Sequence, residues 1–330
     1  MVPPYIFGPN LPLAEKALIE RIRRQAGKRR SIGVLCGIGD DCAVLRLPAG
    51  HEALVTTDFT FENTHFRRQW HPPETIGHRC LARGLSDIAA MGGTPIAAFL
   101  SLALPRRIPQ SWVDRFMQGL LKLARRFDVT LAGGDTAESP GPIAADIVVL
   151  GSVPAGQAIL RSGARPGDRI YVTGKLGGSA GALRELSRGY KLLAVDYPDH
   201  FLPQPRIEAG HILRQKKLAS AMIDLSDGLS TDLAHICRES NVGAEIQAEA
   251  IPVARIGKPG HQVDLNLALH GGEDYELLFT VPGTRRVPSR LAGVAVTLIG
   301  HITRGKNITL RYENGTSERL QPRGWEHFRP

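Results

Sequence analysis

"AMIDLSDGLSTDLAHICRES", residues 221–240, is the stretch on which the reading of the fold turns. Ala221 to Leu225 is a short apolar run closed by a polar turn, which reads as a buried strand. Gly228 to Ser240 reads as a helix. Between them stand Asp224 and Asp227, with Ser226 and Gly228 as small neighbours. Strand, acidic turn and helix in succession are the unit of an α/β protein, and ligand sites in such proteins gather where strands end.

The same alternation extends outward. Towards the C-terminus, "YELLFTV" (275–281) and "AVTLIG" (295–300) read as strands. Towards the N-terminus come strand "RIYVTG" (169–174) and helix "SAGALRELS" (179–187). Earlier still, "PETIGHRCLARGLSDIAAM" (73–91) has Ile76, Cys80, Leu81, Leu85 and Ile88 at helical spacing. "IAAFLSLAL" (96–104) is a strand, and "SWVDRFMQGLLKLARRF" (111–127) a helix with Ser111 as a candidate cap. "LAEKALIERIRRQ" (13–25) reads as an amphipathic helix; "CAVLRL", "EALVTTDF", "VTLAGG" and "AADIVVLGSV" read as strands. Glycine and proline thicken over 154–168, which places a domain boundary there. The expectation is an α/β (α+β) chain of two domains, 1–153 and 154–330, a comfortable division for 330 residues. "LSD" followed by "GGD" or "GGE" recurs in the two halves, ending at Asp87 and Asp135, then at Asp227 and Glu273, a faint internal echo.

Lysine and arginine exceed aspartate and glutamate by 41 − 32 = 9, a balance that favours anionic partners. The densest basic run, "RIRRQAGKRR" (21–30), reads as a solvated helix end; no zinc-finger or RNA-binding-sheet signature supports a nucleic-acid partner. The four cysteines form no C-x-x-C pair, which fits buried thiols in a reducing compartment. The start "MVPPYIFGPNLPLAEK" lacks the basic, then apolar, make-up of a signal peptide. No apolar run approaches the roughly 18 residues of a membrane span. A cytoplasmic protein is expected.

The acids carry the chemistry. Asp40 and Asp41 in "CGIGDDCAVL" stand side by side, and two carboxylates at ~4 Å repel by roughly 4 kcal/mol at an effective dielectric of ~20. Either a cation sits nearby or the pair faces open water. Asp58 in "TTDF", Asp87 in "LSDIAAMGG", Asp135 in "GGDT", Asp224 and Asp227 in "IDLSDG", and Glu273 with Asp274 in "GGED" all neighbour small or hydroxyl residues, most of them where an element meets a turn. One aspartate beside glycine is commonly a turn former or cap. A whole set points to a magnesium site, because Mg²⁺ takes hard oxygen ligands and bridges carboxylates to phosphates. Zinc is disfavoured by the absence of H-x-x-x-H on a helix and of cysteine pairs. Gly-Lys is never followed by Ser or Thr, so there is no Walker loop, and the protein-kinase motifs are missing as well.

Taken in order, "GIGDDCAVL", "TTDF…THF", "LSDIAAMGGTP", "LAGGDT", "LRSGARPGD", "YVTGKLGGSAGAL", "IDLSDGLSTDL" and "GGEDYELLFTVP" closely resemble the bacterial thiamine-monophosphate kinase family. That family shares a superfamily with aminoimidazole ribonucleotide synthetase and selenophosphate synthetase. The similarity runs from about residue 12 to the C-terminal "GWEHF". The resemblance implies a two-domain PurM-like fold. Its N-terminal domain (1–153) would bind ATP and Mg²⁺ and pair with a second copy into a β-barrel. Its α/β C-terminal domain (154–330) would complete the cleft. It implies ATP as phosphoryl donor, several Mg²⁺ ions, thiamine monophosphate as acceptor, thiamine diphosphate as product, and a homodimer. Carried over by motif, Asp41, Thr56, Thr57, Asp58, Asp87, Asp135, Asp224 and Asp227 would be metal-associated. Of these, Asp58, Asp87, Asp135, Asp224 and Asp227 would carry the transfer. Gly134, Asp135, Arg161 and Ser226 would meet ATP; His65, Glu273 and Trp325 would meet the thiamine phosphate. The sequence departs from the common pattern at Ala137 and Glu138 in "GGDTAES", at Arg79 and Arg83 on the 73–91 helix, and in the bulk of "FTFENTHF". Two other readings remain open: an aminoimidazole ribonucleotide synthetase-like enzyme and a metal-dependent phosphohydrolase.

Overall fold

The computed structural model of the chain describes residues 12–27, 31–325 and 328. The stretch 1–11, the last three residues of the basic run (28–30), Glu326, His327, Arg329 and Pro330 lie outside the described residues. The chain divides into two compact units. The first comprises the residues up to Gly84 and Pro95–Ser152; the second comprises Leu85–Thr94 and the residues from Val153 on.

In chain order the elements up to Pro154 are α1 (Glu15–Ala26), β1 (Val34–Cys36), β2 (Val44–Leu45), β3 (His51–Phe61), α2 (Pro73–Ala90), β4 (Thr94–Pro105), α3 (Gln110–Arg126), β5 (Thr130–Ser139) and β6 (Ala144–Pro154). Four strands form one sheet in the order β3-β6-β4-β5, so β3 and β5 are its edges. β4 and β5 run parallel, Leu100 opposite Gly134 and Ser101 opposite Asp135. Parallel neighbours need a crossover, and α3 provides it. One face of α3 is apolar, with Val113, Phe116, Met117, Leu120 and Leu123 all buried. Each such side chain contributes roughly 1.5–3 kcal/mol on burial.

The remaining elements are β7 (Arg169–Thr173), α4 (Gly178–Ser187), α5 (Pro198–Phe201), α6 (Ile207–Gln215), β8 (Ala221–Asp224), α7 (Leu229–Ser240), β9 (Gly243–Gln247), β10 (Arg255–Ile256), β11 (His261–Gln262), α8 (Leu265–His270), β12 (Leu277–Val281), β13 (Arg290–Leu291), β14 (Val294–Thr303), β15 (Ile308–Arg311) and β16 (Ser317–Arg319). Eight of these strands build a sheet ordered β16-β15-β9-β14-β7-β12-β8, with β13 beside β14, and β10 and β11 pair separately. The β9–β15 pair is parallel; β7, β8, β12 and β14 pair antiparallel. Leu229, Leu233 and Ile236 of α7 share a core with Ile170, Val172, Ile223, Leu278 and Ile299 from the strands. The opening stretch is therefore a strand and the helix that covers its sheet. The mixed α/β class expected from the sequence is the class observed.

Four expectations need correction. Asp58 and Asp135 lie inside strands, because β3 runs to Phe61 and β5 to Ser139. Both are edge strands, where a carboxylate can keep its water while the backbone pairs on one side only. Ser111 does not cap α3; the cap position is Pro109, without a side-chain bond. The "LSD" echo has no common local structure: residues 85–87 lie within α2, whereas 225–227 form the turn after β8. Finally, the "CAVLRL" strand shrinks to Val44–Leu45.

Candidate active site

In the second unit the turn after β8 is a hub for residues remote in sequence. The N–H of Glu273 donates to the carbonyl of Ser226 at 2.8 Å, and that of Tyr275 to the carbonyl of Leu225 at 2.8 Å. The N–H of Leu225 returns a bond to the carbonyl of Glu276 at 2.8 Å. The "GGEDYE" loop thus continues the β8–β12 ladder one step beyond the sheet, where Leu277 opposes Asp224. On the other side of the turn, the N–H of Trp325 donates to the carbonyl of Asp227 at 3.1 Å. Gly324 is obligatory there: a Cβ on it would lie 2.0 Å from that same carbonyl oxygen. Ser226, Asp227, Glu273 and Trp325, all singled out by sequence, are brought together by main-chain bonds.

The turn is also held from beneath. Asp232, in the first turn of α7, accepts the N–H of Asp227 at 3.2 Å and of Gly228 at 3.0 Å on one carboxylate oxygen. Burial pushes its carboxyl well above the usual range, helped by the charges of Asp224 and Asp227; the two amides pull the other way. His235 follows one turn later. Burial, Arg238 and Arg161 hold its imidazole below the usual value, so it is neutral near pH 7. Ligand atoms of Asp227, Asp232 and His235 lie within 4.8 Å of one another. Neither Asp232 nor His235 was singled out from the sequence. "STDLAH" at i, i+3 was the signal that could have found them.

Asp224, at the end of β8, is buried and accepts the hydroxyl of buried Ser86 at 2.7 Å. Ser86 precedes Asp87 on α2, so one short bond fixes Asp224 against the element that carries the next candidate acid. Arg161 is exposed; its carbonyl accepts the hydroxyl of Ser240, at the end of α7, at 2.8 Å. An open cleft of about 370 Å³ beside it, lined by Gln157, Ser162, Arg214, Lys217 and Ser220 among others, includes none of the candidate residues.

The first unit holds the others. Thr56, Thr57 and Asp58 are successive on edge strand β3. The Thr57 hydroxyl donates to Asp146 on β6 at 2.7 Å, an acid missed in the sequence because its partner is on a neighbouring strand. Past the end of β3, His65 Nδ1 accepts the N–H of Phe61 at 2.9 Å, which leaves the proton of the neutral ring on Nε2. Gly134 is fixed by the fold, since a Cβ there would lie 1.9 Å from the Leu100 carbonyl. Asp135 is exposed and accepts the N–H of Thr136 at 2.8 Å. Ala137 and Glu138 follow, exposed on the same edge strand. Asp40 and Asp41 are exposed too, and the Arg23 guanidinium of α1 lies against Gly39, where a Cβ would come within 2.6 Å of it. The paired acids face open water, and the Asp41 N–H donates to the Asp40 carboxylate at 3.0 Å. Of the two extra basic residues on α2, Arg79 is buried and Arg83 donates to the carbonyl of Phe59 at 2.7 Å.

The candidate acids offer carboxylate oxygens, hard donors of the kind magnesium takes. Among the described residues no helix is long and apolar enough to cross a membrane.

Comparison with known proteins shows the family. Residues 39–153 match the AIR synthase related protein, N-terminal domain, and residues 165–313 its C-terminal domain. The chain is 39% identical over 312 residues to the thiamine-monophosphate kinase of Escherichia coli, covering 90% of this chain and 93% of the other. Among solved structures, the thiamine-monophosphate kinase from Stenotrophomonas maltophilia superposes with a TM-score of 0.78 at 37% identity, over 90% of this chain and 96% of that one. AaThiL complexed with AMPPCP and TMP superposes with a TM-score of 0.75 at 30% identity, over 95% and 97%. This chain belongs to the AIR synthase related proteins and, among them, to the thiamine-monophosphate kinase family.

Proposed function

We propose that this chain transfers the γ-phosphoryl group of ATP to thiamine monophosphate, giving ADP and thiamine diphosphate, in a magnesium-dependent reaction with no phosphoprotein intermediate. The observation that carries the reading is the main-chain junction of Ser226, Asp227, Glu273 and Trp325. It joins residues assigned to nucleotide, metal and thiamine phosphate in a chain whose relative is known with AMPPCP and TMP.

The acceptor is a phosphate oxygen, already anionic near neutral pH, so no strong general base is needed. The difficulty is to bring two anions together in line, and phosphoryl transfer is governed by positioning and charge neutralisation. Orientation alone can contribute roughly 7–11 kcal/mol. Asp41, Thr56, Thr57, Asp58 and Asp135 of residues 1–153, and Asp87, Asp224 and Asp227 from α2 and the second domain, would hold magnesium. When bound, the metal neutralises the donor and acceptor phosphates. Gly134, Asp135 and Ser226 meet the nucleotide, and Arg161 adds a fixed cation to its phosphate chain. His65, Glu273 and Trp325 hold the thiamine phosphate: Glu273 by charge with the cationic ring system, Trp325 by stacking.

The domain division at 153/154 and a cytoplasmic homodimer complete the proposal. Edge strand β3 exposes Val55 and Phe59, and an apolar unpaired edge is a surface that a second copy can cover. Light scattering should give twice the 35.8 kDa chain mass; a monomer would reject this part. The activity is tested by incubating the protein with ATP, Mg²⁺ and thiamine monophosphate and separating products by chromatography. Thiamine diphosphate is expected, with none after EDTA. Inorganic phosphate released without an acceptor would instead indicate a phosphohydrolase, and turnover only with an amidine ribonucleotide a synthetase.

A further inference from the structure

We propose that Asp274, which the reaction itself does not use, is a positioning residue for Glu273: its carboxyl, bonded to the Gly177 N–H, locks the backbone from which Glu273 projects. This rests on the reading of Glu273 as a thiamine-phosphate contact.

Three observations converge on it. Glu273 and Tyr275 both adopt positive φ, 64° and 52°, a region that side chains with a Cβ disfavour and that persists only where surroundings impose it. Asp274 sits between them. Its Oδ2 accepts the Gly177 N–H, at the N-terminal cap of α4, at 2.9 Å. Its Oδ1 is buried without a hydrogen bond of ordinary geometry, and the Ser179 N–H is the second amide that acts on the carboxyl. Main-chain bonds at Glu273 and Tyr275 tie the loop to Ser226 and Leu225 on one side; the Asp274 carboxyl ties it to the "GKLGG" turn on the other. Glu276 makes a parallel attachment, accepting the Thr173 hydroxyl at 2.5 Å and the Arg206 Nε–H at 2.7 Å. Of the three acids in "GGEDYE", two are thus committed inward. A strained, under-satisfied tripeptide is retained where geometry matters more than stability. Burial, with the neighbouring Glu276 and Asp199, pushes the Asp274 carboxyl up, while the Gly177 and Ser179 amides pull the other way.

Asp274→Asn keeps an acceptor oxygen for Gly177, and Asp274→Ala removes it. The alanine variant should raise KM for thiamine monophosphate about tenfold while KM for ATP stays within about twofold. The asparagine variant should restore wild-type values. Hydrogen exchange reads the clamp without reference to activity. In Asp274→Ala, residues 271–276 should lose protection while residues 221–224 of β8 keep theirs. Unchanged protection at 271–276, equal rises in both KM values, or failure of asparagine to restore them would each overturn the proposal. If the wild-type chain makes no thiamine diphosphate, the proposed function falls and exchange alone decides the role of Asp274. If Asp274→Ala does not fold, wild-type protection in Asp274→Asn supports the clamp and lost protection overturns it.

Discussion

Trp325, near the C-terminus, is fixed to Asp227 by a main-chain bond of 3.1 Å, and the residue before it has no room for a Cβ. A methyl group on Gly324 would have to push the Asp227 carbonyl or the tail aside. Gly324→Ala should therefore reproduce Trp325→Ala: KM for thiamine monophosphate rises about tenfold, as loss of one well-packed aromatic contact implies, with little change for ATP. Steady-state kinetics on both variants check this. A defect confined to ATP would reject the assignment of Trp325.

Asp58 and Asp87 lie on different elements, β3 and α2, and both are assigned to metal. Asparagine at either position keeps the shape and removes the charge. Turnover should fall by about a hundredfold or more in each, the scale of losing one electrostatic element of a transition state. A Mg²⁺ titration is the measurement. Near-normal rates at any magnesium concentration would remove that residue from the set.

Ser86 gives Asp224 a buried donor at 2.7 Å. Ser86→Ala would remove one buried donor from the Asp224 carboxylate, a cost of about 1–3 kcal/mol. Urea unfolding should show a lower midpoint at an unchanged slope, with the product of slope and midpoint falling by that amount. An unaltered midpoint would mean that the bond contributes nothing to holding Asp224.

Burial pushes the Cys80 and Cys237 thiols up to about 12, whereas Cys42 is exposed and Cys36 partly so. Thiolate is the reactive form. In the native protein at pH 8, Cys42 should react first with a thiol reagent, and Cys80 and Cys237 only after unfolding. The linkage sign follows: an unfolded chain releases these protons near pH 9, the native chain near 12. Their contribution to stability is complete below pH 9 and is lost as pH rises from 9 towards 12. Early labelling of either buried thiol, or flat stability across that window, would contradict the burial.

The long elements were legible in the sequence because an apolar stripe announces them: α2, α3 and α7 each show their buried face at helical spacing. The motif acids were legible because turn chemistry gathers them beside glycine and serine. What stayed hidden depends on partners remote in sequence. Ser86 and Asp146 look ordinary in the sequence and gain meaning only when Asp224 and Thr57 arrive opposite them, and Asp274, grouped there with the candidate metal acids, shows its separate role only opposite the Gly177 amide. The mid-strand positions of Asp58 and Asp135 were hidden for a related reason, since strand order decides which strands are edges. Short pieces such as α8 and β9 carry too few periods to be read.

The most direct test follows the label of [γ-³²P]ATP in the presence of thiamine monophosphate and Mg²⁺. The account predicts that the label appears in the terminal phosphate of thiamine diphosphate, in step with ADP, and never on the protein. Label released as inorganic phosphate, or trapped as phosphoprotein, would contradict it.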